Sequence, residues 1–112
     1  MDPSPEDAKL ITLARSARAR IGAHEGAAVR DLDGRTYAAA SVSLESLTID
    51  ALSLAVAMAV SSGAKGLEAG ALVSNRTGQE IVELSALRDL AGSGVPVVLA
   101  DASGAVISVH QS

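Results

Sequence analysis

The chain has 112 residues, 48% of them hydrophobic, a formal charge of −4 and no cysteine. That is long enough for one domain with a buried core, read as a single unit over residues 1–112, and it excludes disulfides and thiolate chemistry. Tyr37 is the sole aromatic residue, which removes base stacking, and the acidic balance disfavours phosphate-backbone binding, so nucleic acid is not an expected partner.

The opening Ser4-Pro5-Glu6-Asp7 predicts a helix start: Ser4 can cap, Pro5 suits the first helical position, and acids favour the positive end of the dipole. Leu10, Leu13, Ala14, Ala17 and Ile21 follow at helical spacing as one apolar stripe, with Lys9, Arg15, Arg18 and Arg20 largely outside it. The three arginines form the only basic cluster and read as a solvated helix face. Gly22 is a plausible stop. Residues 27–32 predict a strand, Asp33-Gly34 a tight turn, and 35–42 the returning strand. The run Ala38-Ala39-Ala40 is weak by β propensity but lets a helix pack closely across it.

A second helix is expected from a cap at Ser46 or Thr48 to Gly63. Its body, residues 51–60, has almost no polar face and must be covered on all sides, by the sheet on one and by helices or another subunit on the others. It is about half the length needed to cross a bilayer. No membrane partner is expected, and the acidic N-terminus does not resemble a targeting segment, so a cytoplasmic location is the default. A strand over 67–73, a polar turn over 74–78 and a helix over 81–90 come next, the helix with Ile81, Leu84, Leu87 and Leu90 on one stripe and Gly92 or Gly94 closing it. Residues 95–100 read as a buried strand, 101–104 as a turn and 105–109 as an edge strand. The order α-β-β-α-β-α-β-β predicts an α/β protein, a three-layer α-β-α sandwich with a mixed five-stranded sheet.

Gly26-Ala27-Ala28-Val29, Asp33-Gly34-Arg35-Thr36-Tyr37, Ser41-Val42-Ser43 and the helix ending Ala59-Val60-Ser61-Ser62-Gly63 together resemble the first half of a small cytidine deaminase. Pro96-Val97-Val98-Leu99-Ala100-Asp101 is similar to a strand of its second half. The resemblance spans roughly residues 5–110 and implies the cytidine deaminase fold. Zinc deaminases place a Cys or His ligand on the first active-site helix, a proton-shuttling Glu two residues later, and a Pro-Cys-x-x-Cys pair on the second. Counting back from Gly63, the ligand position falls on Asp50 and the Glu position on Leu52. The cysteine pair falls most naturally on Leu84-Ser85-Ala86-Leu87. The family's ribose-gripping Asn-Val-Glu stands as Ser41-Val42-Ser43, and the aromatic residue before its Gly-Ala-Ala segment as Ala23. What the resemblance implies is a degenerate member with the scaffold but no catalytic residue, no metal and no cofactor.

Other chemistry finds little support. His24 and His110 stand alone, without metal-ligand spacing. Ser41, Ser43, Ser46, Ser61 and Ser62 have no neighbouring histidine in sequence to act as base. Gly63, Gly66, Gly70 and Gly78 do not make a phosphate loop. Asp50 suits the first turn of a helix by its charge alone. The expected function is a non-catalytic homo-oligomeric structural or interaction module without zinc, its interface on Leu52, Val56 and Met58. The resemblance implies a dimer or tetramer built through that helix. One alternative is a sensor or binder of a nucleoside or other small metabolite, using Ser41, Ser43 and Asp50 in the vestigial pocket. Another is a residual or unrelated hydrolase activity.

Overall fold

The computed structural model describes residues 3–75 and 82–112. The first helix, α1 (Pro5–Ile21), begins as its sequence predicts: the Ser4 hydroxyl accepts a hydrogen bond from the Asp7 amide at 3.1 Å. It ends at Gly22, whose φ of 64° is the left-handed conformation that glycine adopts without penalty. Two antiparallel strands follow, β1 (Glu25–Asp31) and β2 (Thr36–Ala40).

The strand expected over 35–42 does not run through. It breaks at Ser41, whose amide donates to the Glu25 carbonyl at 3.0 Å and closes the ladder. The chain then forms a separate small hairpin, β3 (Val42–Ser43) and β4 (Thr48–Ile49), turned by a hydrogen bond from the Leu44 amide to the Leu47 carbonyl. The hairpin occupies Ser46 and Thr48, so the cap of the second helix lies at Asp50 instead.

The remaining elements are α2 (Ala51–Ser61), β5 (Leu67–Ser74), α3 (Ser85–Ala91), β6 (Pro96–Ala100) and β7 (Val106–Gln111). The third helix starts later than predicted, and Ile81 and the far end of the expected 74–78 turn lie outside the described residues. The main sheet has five strands in the order β2-β1-β5-β6-β7. The β5–β6 pair is parallel and its other pairs are antiparallel, so the sheet is mixed as expected.

Alternation along the strands divides the core between two faces. Ala28, Ala69, Ala71, Val73, Val98 and Ala100 pack with Leu10, Ile11 and Ala14 of α1. Ala27, Val29, Ala39, Leu72, Val97 and Leu99 pack on the other side with Leu52, Ala55 and Val56 of α2 and Leu87 of α3. The result is the three-layer sandwich. Small residues set its thickness: a Cβ at Gly26 would overlap the Ala14 carbonyl oxygen and crowd Arg18, so α1 rests almost on the β1 backbone.

A β-bulge adjusts the far end of β5. Arg30 pairs with Ala69 but Asp31 pairs with Leu67, leaving Glu68 as an extra residue. Glu68 uses that freedom to accept a 2.7 Å hydrogen bond from Arg30 Nε, while Arg30 Nη2 reaches Asp7 Oδ1 at 3.2 Å. This pair of bridges ties α1, β1 and β5 together.

The two hairpin turns of the main sheet share one construction. In each, an aspartate Oδ1 accepts from the amides two and four residues on, Asp33 and Arg35 for Asp31, Ser103 and Ala105 for Asp101. Gly34 and Gly104 supply the positive φ, 84° and 90°. Asp31 is buried, which opposes its ionisation. The Tyr37 hydroxyl at 2.8 Å and the two amides outweigh that and hold its carboxyl below the usual range. The same hydrogen bond from the phenol, with burial, pushes Tyr37 up. Asp101 is held low by the Ser103 hydroxyl and the Ala105 amide.

Candidate functional site

The positions that the resemblance matches to catalytic ones lie at the N-termini of α2 and α3. Asp50 has extended backbone and is the N-cap of α2. Its Oδ2 accepts from the Ser53 amide at 3.0 Å, and its carbonyl accepts from the Leu54 amide at 3.1 Å. This is the ordinary work of a helix cap, satisfying an amide that the helix itself cannot. Leu52, two residues on, is 2% exposed.

At α3 the corresponding cap position is Leu84, which has no side-chain capping bond. Glu83 partly substitutes: its Oε1 accepts from the Ser85 amide at 2.8 Å. The Ser85 hydroxyl and amide hold the Glu83 carboxyl below its usual range. Leu87, in the first turn, is 1% exposed. Leu52, Val56 and Leu87 belong to one apolar cluster with Ala27, Val29 and Ala39, and Leu84 and the Tyr37 ring pack against it. Two helix N-termini therefore meet at a region filled by hydrocarbon.

The chemistry of that donor set does not fit a zinc ion. Of the positions that the resemblance matches to ligands, Asp50 offers one carboxylate already engaged by Ser53, and Leu84 and Leu87 offer none. At the proton-shuttle position, Leu52 has no titratable group. Among the described residues no group of three or more His, Cys, Asp or Glu side chains is placed to hold a metal ion.

The structure places the other sequence-predicted residues as follows. Ser41 and Asp50 flank the Val42–Ile49 pair at the open end of the small hairpin. The Ser41 hydroxyl accepts from the Glu25 amide at 3.3 Å and lies 3.5 Å from its carbonyl oxygen, so it serves the β1–β2 junction. Ser43 pairs with Thr48 nearer the hairpin tip and is exposed. Leu52 and Val56, expected at a subunit interface, are enclosed by the chain's own core, whereas Met58 is 38% exposed. Val60, Leu44 and Leu47, which sequence reasoning did not single out, are also exposed.

Two features escaped the sequence reading. Ser108 Oγ lies 3.0 Å from His110 Nε2 on β7, a contact that the i, i+2 spacing of a strand could have signalled. Asp31, read only as the end of a strand, is a buried carboxylate that organises a turn; its signal was the repeat of Asp-x-Asp-Gly and Asp-x-Ser-Gly at the two hairpins.

Comparisons with known proteins agree with this architecture. Residues 3–104 match a family model described as cytidine deaminase-like. A comparison with curated protein sequences gives no match. Among solved structures, cytidine deaminase from Burkholderia pseudomallei superposes with a TM-score of 0.75 at 27% identity, over 91% of this chain and 89% of that one. A point mutant of cytidine deaminase from Mycobacterium tuberculosis gives 0.68 at 26% identity, over 86% and 85%. Cytidine deaminase from Mycobacterium leprae gives 0.71 over 97% and 94%, and at 18% identity shows the likeness of fold alone.

Proposed function

The chain belongs to the cytidine deaminase-like family, and from that premise we propose that it is a non-catalytic member, a homo-oligomeric structural or interaction module that works without zinc. One observation carries this reading: Leu52 and Leu87, which the resemblance matches to the proton shuttle and a zinc ligand, are sealed in a single apolar cluster. A carbon side chain donates no electron pair to a metal and moves no proton. Deamination needs both, a metal-activated water and a carboxyl group that carries its proton to the base. Asp50 alone supplies neither function while its carboxylate caps α2.

The interaction half of the proposal rests on α2. Its mid-helix residues are enclosed, but Met58 and Val60, about 200° apart around the helix, are exposed on its two flanks. Covering them against a second copy would contribute about 25 cal/mol per Å² of apolar area. The interface then lies on Met58 and Val60 rather than on Leu52 and Val56. The alternative of a nucleoside or small-metabolite binder has less in its favour, because the hydroxyl of Ser41 and the carboxylate of Asp50 already serve the backbone.

Two measurements on the purified full chain test the reading. Light scattering at micromolar concentration should give a mass at least twice that of one chain; a monomer removes the oligomer. Cytidine should release no ammonia, and metal analysis should find no stoichiometric zinc. Chelator-sensitive ammonia release overturns the non-catalytic reading.

A further inference from the structure

On the sheet face away from α2 and α3, the C-terminal half of α1 overhangs the β6–β7 turn. A cavity of about 250 Å³ opens between them, lined by Thr12, Arg15, Ser16, Arg18, Val73 and Ala102 among others. The sequence alone reads Arg15, Arg18 and Arg20 as one solvated face. The structure separates them: Arg15 and Arg18 line the hollow.

A hydrogen bond ties Arg18, and Arg15 lies exposed against the turn. The Arg15 side chain lies against Gly104, where a Cβ would come within 3.2 Å of its Cδ and Nη1. Arg18 Nε donates to the His24 carbonyl at 3.2 Å, which fixes the group and leaves its terminal nitrogens available. Among the described residues no carboxylate lies within 4.0 Å of either one. Asp101 stands beside Ala102 in the turn, but its Oδ1 faces the Ser103 amide and hydroxyl and the Ala105 amide. Arg30 in the same protein makes the contrast, since it meets both Asp7 and Glu68.

Arg15 and Arg18, three residues apart on α1, put two positive charges on one face of the helix, and an anion between them relieves their repulsion. The guanidinium fork matches the oxygens of phosphate, and Ser16 adds a hydroxyl at the rim, while the Thr12 hydroxyl donates to the Ala8 carbonyl at 3.2 Å. Val73 and Ala102 give the hollow an apolar wall against which a short carbon stub can lie. We propose that this cavity is an anion site for a phosphoryl group, carried by free phosphate or by a small phosphate monoester. It is independent of the α2–α3 region and of whether that region is catalytic.

The test is a titration of the full chain with inorganic phosphate and, separately, with ribose 5-phosphate, at constant ionic strength, followed by amide chemical shifts and calorimetry. Saturable binding is expected, with shifts centred on residues 12–18 and 102–104. Arg15→Ala should weaken it about tenfold, the worth of one charge-assisted hydrogen bond. Arg15 is exposed, so its fold should survive, and a thermal melt checks this. Arg20→Ala should leave the affinity unchanged. Tighter binding of ribose 5-phosphate supports the site as one for a monoester; equal or weaker binding supports it as one for the free ion. No saturation at millimolar concentration overturns the proposal, as does equal weakening by Arg15→Ala and Arg20→Ala, which would mean diffuse attraction rather than a built site.

Discussion

On the α1 side of the sheet, a helix with four buried residues, Leu10, Ile11, Ala14 and Ala17, is closed off by polar partners. Ser4 caps its start, Gly22 ends it, and Arg30 bridges its Asp7 to Glu68 across the strands. On the α2–α3 side, α2 buries Ala51, Leu52, Ala55, Val56 and Ala59 yet leaves Met58 and Val60 in the open, and α3 begins on a leucine without a side-chain cap. The first face has apolar and polar groups in the places a lone helix requires. The second has Asp50 as a cap on α2 but buried leucines in the first turns of both helices, where exposed amides and a positive dipole favour acceptors. Local helix physics does not ask for leucine there; packing does. The second face is therefore arranged by packing more than by the needs of the helix ends.

The sharpest way to break that contrast is to return an acid to the second face. Leu52→Glu would bury a carboxylate among hydrocarbon and should destabilise the fold by at least about 3 kcal/mol in urea denaturation, with no gain of ammonia release from cytidine. A stable, cytidine-deaminating variant would show that the region still accommodates chemistry. Leu87→Ala tests the packing alone and should cost about 3 kcal/mol in the same measurement. A loss under 1 kcal/mol, roughly what an exposed position gives, would mean that the cluster is loosely filled.

Smaller changes sharpen the comparison. Ser4→Ala and Asp50→Ala remove the caps of α1 and α2, and each should cost about 1 kcal/mol of stability by thermal melting. Similar losses would place Asp50 as a cap like Ser4; a much larger loss for Asp50 would give its carboxylate a further role. The weakest effect belongs to the turns. The carboxyls of Asp31 and Asp101 are held below the reference value of 3.8. Each therefore stabilises the fold above that value, and the contribution is lost as pH falls through the lower folded value. Melting temperature should drop as pH is taken below about 4, and the drop should be shallower in Asp31→Asn than in the parent.

How much of this the sequence disclosed depended on the range of the interactions. The ends of α1 were legible because Ser4-Pro5 and Gly22 act within one helical turn. The two faces were legible because strand alternation is a local pattern. The break at Ser41 was not, since it depends on a hydrogen bond to Glu25, sixteen residues back. Hidden for the same reason was the fate of Leu52 and Val56: a helix apolar all round does not say which side its own sheet will take. The resemblance matched Leu52 to the proton shuttle and Leu87 to a zinc ligand, but only the packing put the two into one cluster. The arginines of α1 looked alike in sequence, and only Gly104 and the His24 carbonyl set Arg15 and Arg18 apart from Arg20.

The extra residue in β5 bears on how this fold can change its length. Because Leu67 already stands opposite Asp31, excision of Glu68 would restore an unbroken ladder without reversing the side of any neighbour. Loss of Ala69 instead would leave the same register but put Glu68 in Ala69's buried place opposite Arg30. Position 68 is thus a joint where the strand can gain or shed one unit, at the cost of the contact with Arg30 and nothing deeper in the domain.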